Sequence, residues 1–335
     1  MSNLDRQALK KFVFKMMDDE RAELGSSGID RILEAGRRWK LGQTLKDGGS
    51  IVIPHAGLKV CGHQIAAAAQ ACLDSGADRV LAVGVLHALS DELQAARVRV
   101  ANGADVTKEK YWGMQGPKVS TASAAREANL PAASARQASS LPQRSADDGG
   151  SSASAGLGGF DDWESEYSRL DFVFLIAEEA KRRGVKAPEL IVRYPYLAGG
   201  RPMILPGITE LQDIVKSGAV VVSTADPFHH GIGYDDPPER ALHPDKGGLD
   251  LARTRIDEGM RILQMGDYWG YNQHCVSAKS DARDAGQVVR YLLGPLESRI
   301  LDITHSDTTV MYKAPAPTWV AAALIEQRKV TNAKG

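Results

Sequence analysis

Residues 50–88 restrict the fold of this chain more than any other stretch. "SIVIPHA" reads as a strand, "GHQIAAAAQACLDSG" as a helix ended by Gly76, and "RVLAVGVLHA" as a second buried strand. A strand, a helix and a strand in so short a span make a βαβ unit, and such a crossover implies parallel neighbours. The rhythm continues. "FVFLIAEEAKRRG" reads as helix, "ELIVRYPYL" as strand, "ITELQDIVKSG" as helix and "AVVVSTADPF" as strand. Near the end, "DARDAGQVVRYLLG" reads as a helix capped by Ser280, "RILDITHS" and "TTVMYKA" as strands, and "TWVAAALIEQRK" as a final helix. The expected fold class is therefore α/β. It is a single domain over residues 1–335, with a mostly parallel central sheet flanked by helices on both faces. An N-terminal helix is expected within residues 1–24.

Residues 118–159 break the rhythm. They are Ser, Ala, Gly and Gln with scattered charges, including "SSASAGLGG", and carry almost no large apolar side chains. Burial there cannot offset a backbone entropy cost of roughly 1–2 kcal/mol per ordered residue. A flexible insertion within the domain is expected, and Trp112 and Trp163 on its flanks leave a lid role open.

Bulk properties exclude several classes. Lys plus Arg is 41 and Asp plus Glu is 42, for a net charge of −1, which offers a nucleic acid or a membrane surface no attraction. No segment reaches the roughly 18–20 uninterrupted apolar residues of a membrane span, and "MSNLDRQALKKF" has no signal-peptide core. Three cysteines make no disulfide framework, so a reducing cytoplasm is the expected setting. The Walker loop, the GxGxxG fingerprint, the GxSxG elbow and the CxxC pair are all missing.

In parallel α/β sheets, functional groups collect beyond the carboxyl ends of strands. Three predicted strands end in a metal ligand or proton carrier: "SIVIP" at His55, "RVLAVGVL" at His87 and "AVVVST" at Asp226, followed by Pro227, Phe228, His229 and His230. One such histidine means little, but three strand ends doing the same are harder to dismiss. His63, His243 and His305 have nothing convergent near them in sequence. Cys275, in "YNQHCVSAKSDARD", is expected just ahead of a helix, where a thiol ionises more readily. It reads equally well as a small buried side chain. Cys72 sits in an Ala-rich helix and reads as core, and Cys61 lies at the start of that helix. Two imidazoles with a thiolate or a carboxylate can hold a first-row metal and leave positions open.

"IVIPHAG" with a following "CG", "VLAVGVLH", "VVVSTADPFHHG" and "HCVSAKSDA" resemble the Memo family (mediator of cell motility), related to the class III, LigB-type extradiol dioxygenases. "EYSRLDFVFLIAEEA" looks like a degraded form of that family's E-H-S-x-E stretch, with Tyr167 in place of the histidine. Leu58 stands where the family has an aromatic after "PHAG", and "GVLH" replaces "GPSH". The resemblance implies metal ligands at His55, His87 and Cys275, and a pocket aspartate and histidine at Asp226 and His229. It implies a metal-dependent oxidoreductase, an oxygenase using Fe(II) or Cu rather than zinc on a small aromatic or amino-acid-derived substrate with O₂. His229, oriented by Asp226, would move the proton. Asp226 as a metal ligand is an open alternative. So are a non-catalytic redox-metal carrier or scaffold and a metal-dependent hydrolase. The sequence leaves a homo-oligomer open.

Overall fold

A computed structural model describes residues 6–87, 90–116 and 166–330. The insertion expected at 118–159, and Trp163 beside it, lie outside the described residues. The strands are β1 (Ser50–Ile53), β2 (Arg79–Val83), β3 (Gly113–Gln115), β4 (Glu189–Tyr196), β5 (Val220–Thr224), β6 (Phe228–Gly231), β7 (Leu296–Asp307) and β8 (Thr318–Lys329). The helices are α1 (Arg6–Gly36), α2 (Gly42–Lys46), α3 (Leu58–Ser75), α4 (Asp91–Ala101), α5 (Leu170–Arg183), α6 (Ile208–Lys216), α7 (Leu249–Gln264), α8 (Tyr268–Ser277), α9 (Arg283–Leu293) and α10 (Thr309–Tyr312). None is long and apolar enough to cross a membrane.

The strands form one mixed sheet in the order β3-β4-β2-β5-β1-β8-β6, with β7 also on β8. Its centre, β4-β2-β5-β1, is parallel, as the βαβ pattern requires. The additions are antiparallel: β3 joins β4, while β8 joins β1 and carries β6 and β7. The parallel expectation therefore holds for the centre and not for the margins.

Side chains alternate along each strand, so one strand feeds two cores. Ile51 and Ile53 of β1 enter one apolar cluster and Val52 another. On β2, Val80 and Ala82 join the cluster of α3 and α5, whereas Leu81 and Val83 join that of α6 and α9. Helix ends follow their glycines. Gly76 (φ 71°) stops α3 and Gly184 (φ 67°) stops α5, each in the left-handed conformation that lacks a Cβ penalty.

Four elements differ from their sequence patterns, the first being α9, which starts at Arg283 with Ala282 rather than Ser280 at its N-cap. The N-terminal helix kinks at Gly25 and then resumes to Gly36, because Ile29 and Leu33, one turn apart, anchor the second segment in the core. "TTVMYKA" forms a short helix, started where Asp307 accepts the Thr309 N–H at 2.8 Å. The C-terminal "TWVAAALIEQRK" is a 12-residue strand rather than a helix. Its three alanines favour a helix locally, but tertiary context overrides propensity here. Ala321, Ala323 and Ile325 face one cluster while Ala322 and Leu324 face another, a period of two that only a strand satisfies.

Candidate metal centre

The parallel register sets the site. Ile53 of β1 pairs with Thr224 of β5, and β5 also pairs with β2. The chain ends leaving these three strands therefore emerge side by side, His55 two residues past β1, Asp226 two past β5 and His87 four past β2. Backbone bonds continue past the strands: Ala225 N–H donates to the Ile53 carbonyl at 2.8 Å, and Val85 N–H to Thr224 Oγ1 at 3.3 Å.

Five side chains converge there. His55, His87 and Asp281 offer ligand atoms all within 4.8 Å of one another, and so do Asp226, His229 and Asp281. Asp281 belongs to both groups. It comes from the loop between α8 and α9, and its Oδ1 accepts the Asp226 N–H at 2.8 Å. Its Oδ2 lies 3.2 Å from His55 Nε2 and 3.8 Å from His87 Nε2. Asp226 approaches His55 Nε2 to 3.7 Å and accepts the His55 backbone N–H at 3.1 Å. The rings of His55 and His87 stand edge to face, 5.2 Å apart.

Glu166 fixes His87. It is 1% exposed, lies 2.9 Å from His87 Nδ1 and accepts the His87 backbone N–H at 2.7 Å. It also accepts the N–H groups of Tyr167 and Ser168. A carboxylate on Nδ1 is a common support for a metal-binding imidazole, and His87 Nε2 faces Asp281. Tyr167 stacks on His87 at 4.5 Å. Tyr234 leans on His229 at 5.0 Å and on Tyr312 at 4.8 Å. Burial raises the Tyr167 and Tyr234 phenols well above the ordinary range, so both stay protonated.

The charges pull against burial. Desolvation works to lower His55, yet Asp226 and Asp281 overcome it and hold the imidazole at about 9. Burial works to raise Asp281, but His55 holds it below the usual carboxylate range. Burial likewise opposes Glu166, and His87 with the surrounding N–H donors keeps it low. Asp226 goes the other way, lifted by burial together with the Asp281 charge. Burial depresses His229 despite Asp281 and Asp226 nearby, so it is a neutral base at pH 7. His230, next along β6, points elsewhere as strand alternation demands. Its Nδ1 meets Asp236 at 2.8 Å and its Nε2 accepts the Leu242 N–H at 3.0 Å.

A cation suits this donor set. His229 Nδ1 and Asp281 Oδ2 are buried with no hydrogen-bond partner among the described residues apart from the 3.2 Å approach of Asp281 Oδ2 to His55 Nε2. Each such atom costs about 1–3 kcal/mol if left unsatisfied.

Cys275 belongs to neither group. It lies inside α8 rather than ahead of the next helix, 2% exposed in an apolar cluster. Burial pushes its thiol up to about 12, the opposite of what a helix N-terminus would do. Asp281, and not Cys275, lies with His55 and His87. Sequence reasoning missed Asp281 because no apolar strand precedes it; its one signal was an acidic residue between Ser280 and the helix that follows. Cys61 and Cys72 are fully buried with raised thiols.

No protein-family model matches the chain, and a search of curated proteins finds no match.

Proposed function

We propose that the protein is a metal-dependent oxidoreductase of the Memo and LigB-like kind, an oxygenase acting on a small aromatic or amino-acid-derived substrate with O₂. The observation that carries this reading is the triad of His55, His87 and Asp281, with ligand atoms within 4.8 Å. Two imidazoles and one carboxylate are a donor set used by non-haem iron, and imidazole-rich sites also suit copper. An iron or copper ion held there would supply the redox chemistry that reactions with O₂ require. The remaining work falls to the chain. Glu166 orients His87, the protonated Tyr167 stacks on that ring, and neutral His229 takes and returns a proton beside Asp226. The proposal keeps helices on both faces of the sheet, supported by strand residues alternating between separate cores. A reducing cytoplasm suits its three free, buried cysteines.

The test is metal analysis of protein purified without added metal, paired with O₂ uptake on a panel of small aromatics. His55→Ala and His87→Ala should abolish stoichiometric iron or copper binding while the fold survives. His229→Gln should keep its metal and lose about 10²–10⁴-fold in turnover, the usual span for an acid/base group. Metal lost from His229→Gln would move the ion to the Asp226, His229 and Asp281 group. Tight metal retention with no O₂ uptake would favour a redox-metal carrier or scaffold instead.

A further inference from the structure

We infer that Glu20, far away on α1, is a positioning residue for His55, acting through the loop between β1 and α3. This rests on the reading of His55 as a metal ligand. Helix α3 starts at Leu58, immediately after Gly57, and no side chain from its own segment caps it. The first N–H groups of a helix need acceptors from somewhere. Glu20 Oε2 accepts the Leu58 N–H at 2.7 Å. The Lys59 N–H also bonds this carboxylate, whose pKa burial nonetheless raises. Gly57, at φ 98°, lets the chain pass so close that a Cβ there would lie 2.9 Å from Glu20 Oε2. On the other side, the His55 N–H is held by Asp226 at 3.1 Å. Residues 55–58 are thus pinned between two carboxylates, one from the sheet edge and one from α1. Arg21, the next residue, makes a separate tie to Asp171 of α5 at 2.8 Å, with its guanidinium over Phe174 at 4.7 Å. Both residues dock α1, but of the two only Glu20 bonds the loop that carries His55.

Full-length protein titrated with Co²⁺, whose visible bands report ligand geometry, separates positioning from docking. Glu20→Ala should weaken Co²⁺ binding by about 10–100-fold, the range for groups that orient ligands, and shift the bands. Glu20→Gln, which keeps an acceptor oxygen, should restore most of the affinity. Arg21→Ala should lower the melting temperature and leave the bands unchanged, with any change in affinity smaller than that of Glu20→Ala, because the Asp171 carboxylate it releases acts on the His55 charge without holding its loop. Glu20→Asp, too short to reach Leu58, supplies the same reading if Glu20→Ala does not fold. Wild-type affinity and bands in the Glu20 variants would overturn the inference. So would an Arg21→Ala effect on the bands as large as that of Glu20→Ala. Failure of the wild type to bind Co²⁺, iron or copper would instead defeat the proposed function itself.

Discussion

At His55, burial and charge oppose one another, and charge prevails. With its pKa at about 9 against an ordinary 6.5, the metal-free protein carries an imidazolium there at pH 7. Its stabilising contribution is complete below about 6.5 and disappears as pH rises through 9. A metal ligand must be the neutral ring, so metal uptake at pH 7 should release a proton from His55. Apparent affinity should climb by up to about tenfold per pH unit between 7 and 9 and then level off. Competition titrations across that range, with proton release followed by an indicator, check this; a flat profile would show that His55 is not the group displaced. Residues of this site were legible where the chain advertised them. His55, His87 and Asp226 each follow an apolar run, and His229 stands three residues beyond Asp226. Asp281 lies in the polar "KSDARD", where an acidic residue is unremarkable until the fold brings it to 3.2 Å from His55. Cys275 drew attention through its expected place ahead of a helix and the motif around it, but it lies buried inside α8.

Among the elements, β8 departs furthest from its local sequence. Ala322 and Ala323 are adjacent and both fully buried, yet they face different clusters. Enlarging either to leucine should overpack its own core and cost about 1–3 kcal/mol. Each single variant should destabilise by itself, because the two side chains enter different cores; as neighbours on one strand they share a backbone, so the pair is coupled and departs from the sum. Urea unfolding of Ala322→Leu, Ala323→Leu and the pair measures this. A single variant with no loss of stability would mean that its side chain does not enter a packed core. The parallel strands and the glycine-stopped helices were readable because local pattern and tertiary role agree. In β8 they disagree. An alanine-rich apolar run serves either period, and only pairing with β1, β6 and β7 selects the strand.

For the molecule as a whole, the proposed ligands act as a long-range tie. His55, His87 and Asp281 come from three separate segments, so a bound ion would be lost on unfolding. At a free-metal concentration of 100 times Kd the folded state should gain about 2.7 kcal/mol. For a chain of this size that corresponds to a melting temperature higher by several degrees, at roughly 2 °C per kcal/mol. Calorimetry with and without iron or copper should show the rise, chelator should reverse it, and His87→Ala should show none. An equal rise in His87→Ala would place the stabilising ion elsewhere.

The position of β8 also dictates an order of events as the chain is made. β1 is complete at residue 53, but its antiparallel neighbour begins at residue 318. At roughly 5–20 residues per second, a ribosome leaves that edge of β1 without its partner for some tens of seconds. Throughout that interval its unpaired N–H and C=O groups can recruit another nascent strand. The last strand thus acts as the closing seam of the sheet, and a chaperone that shields residues 50–53 until synthesis passes residue 329 would protect the yield of folded protein.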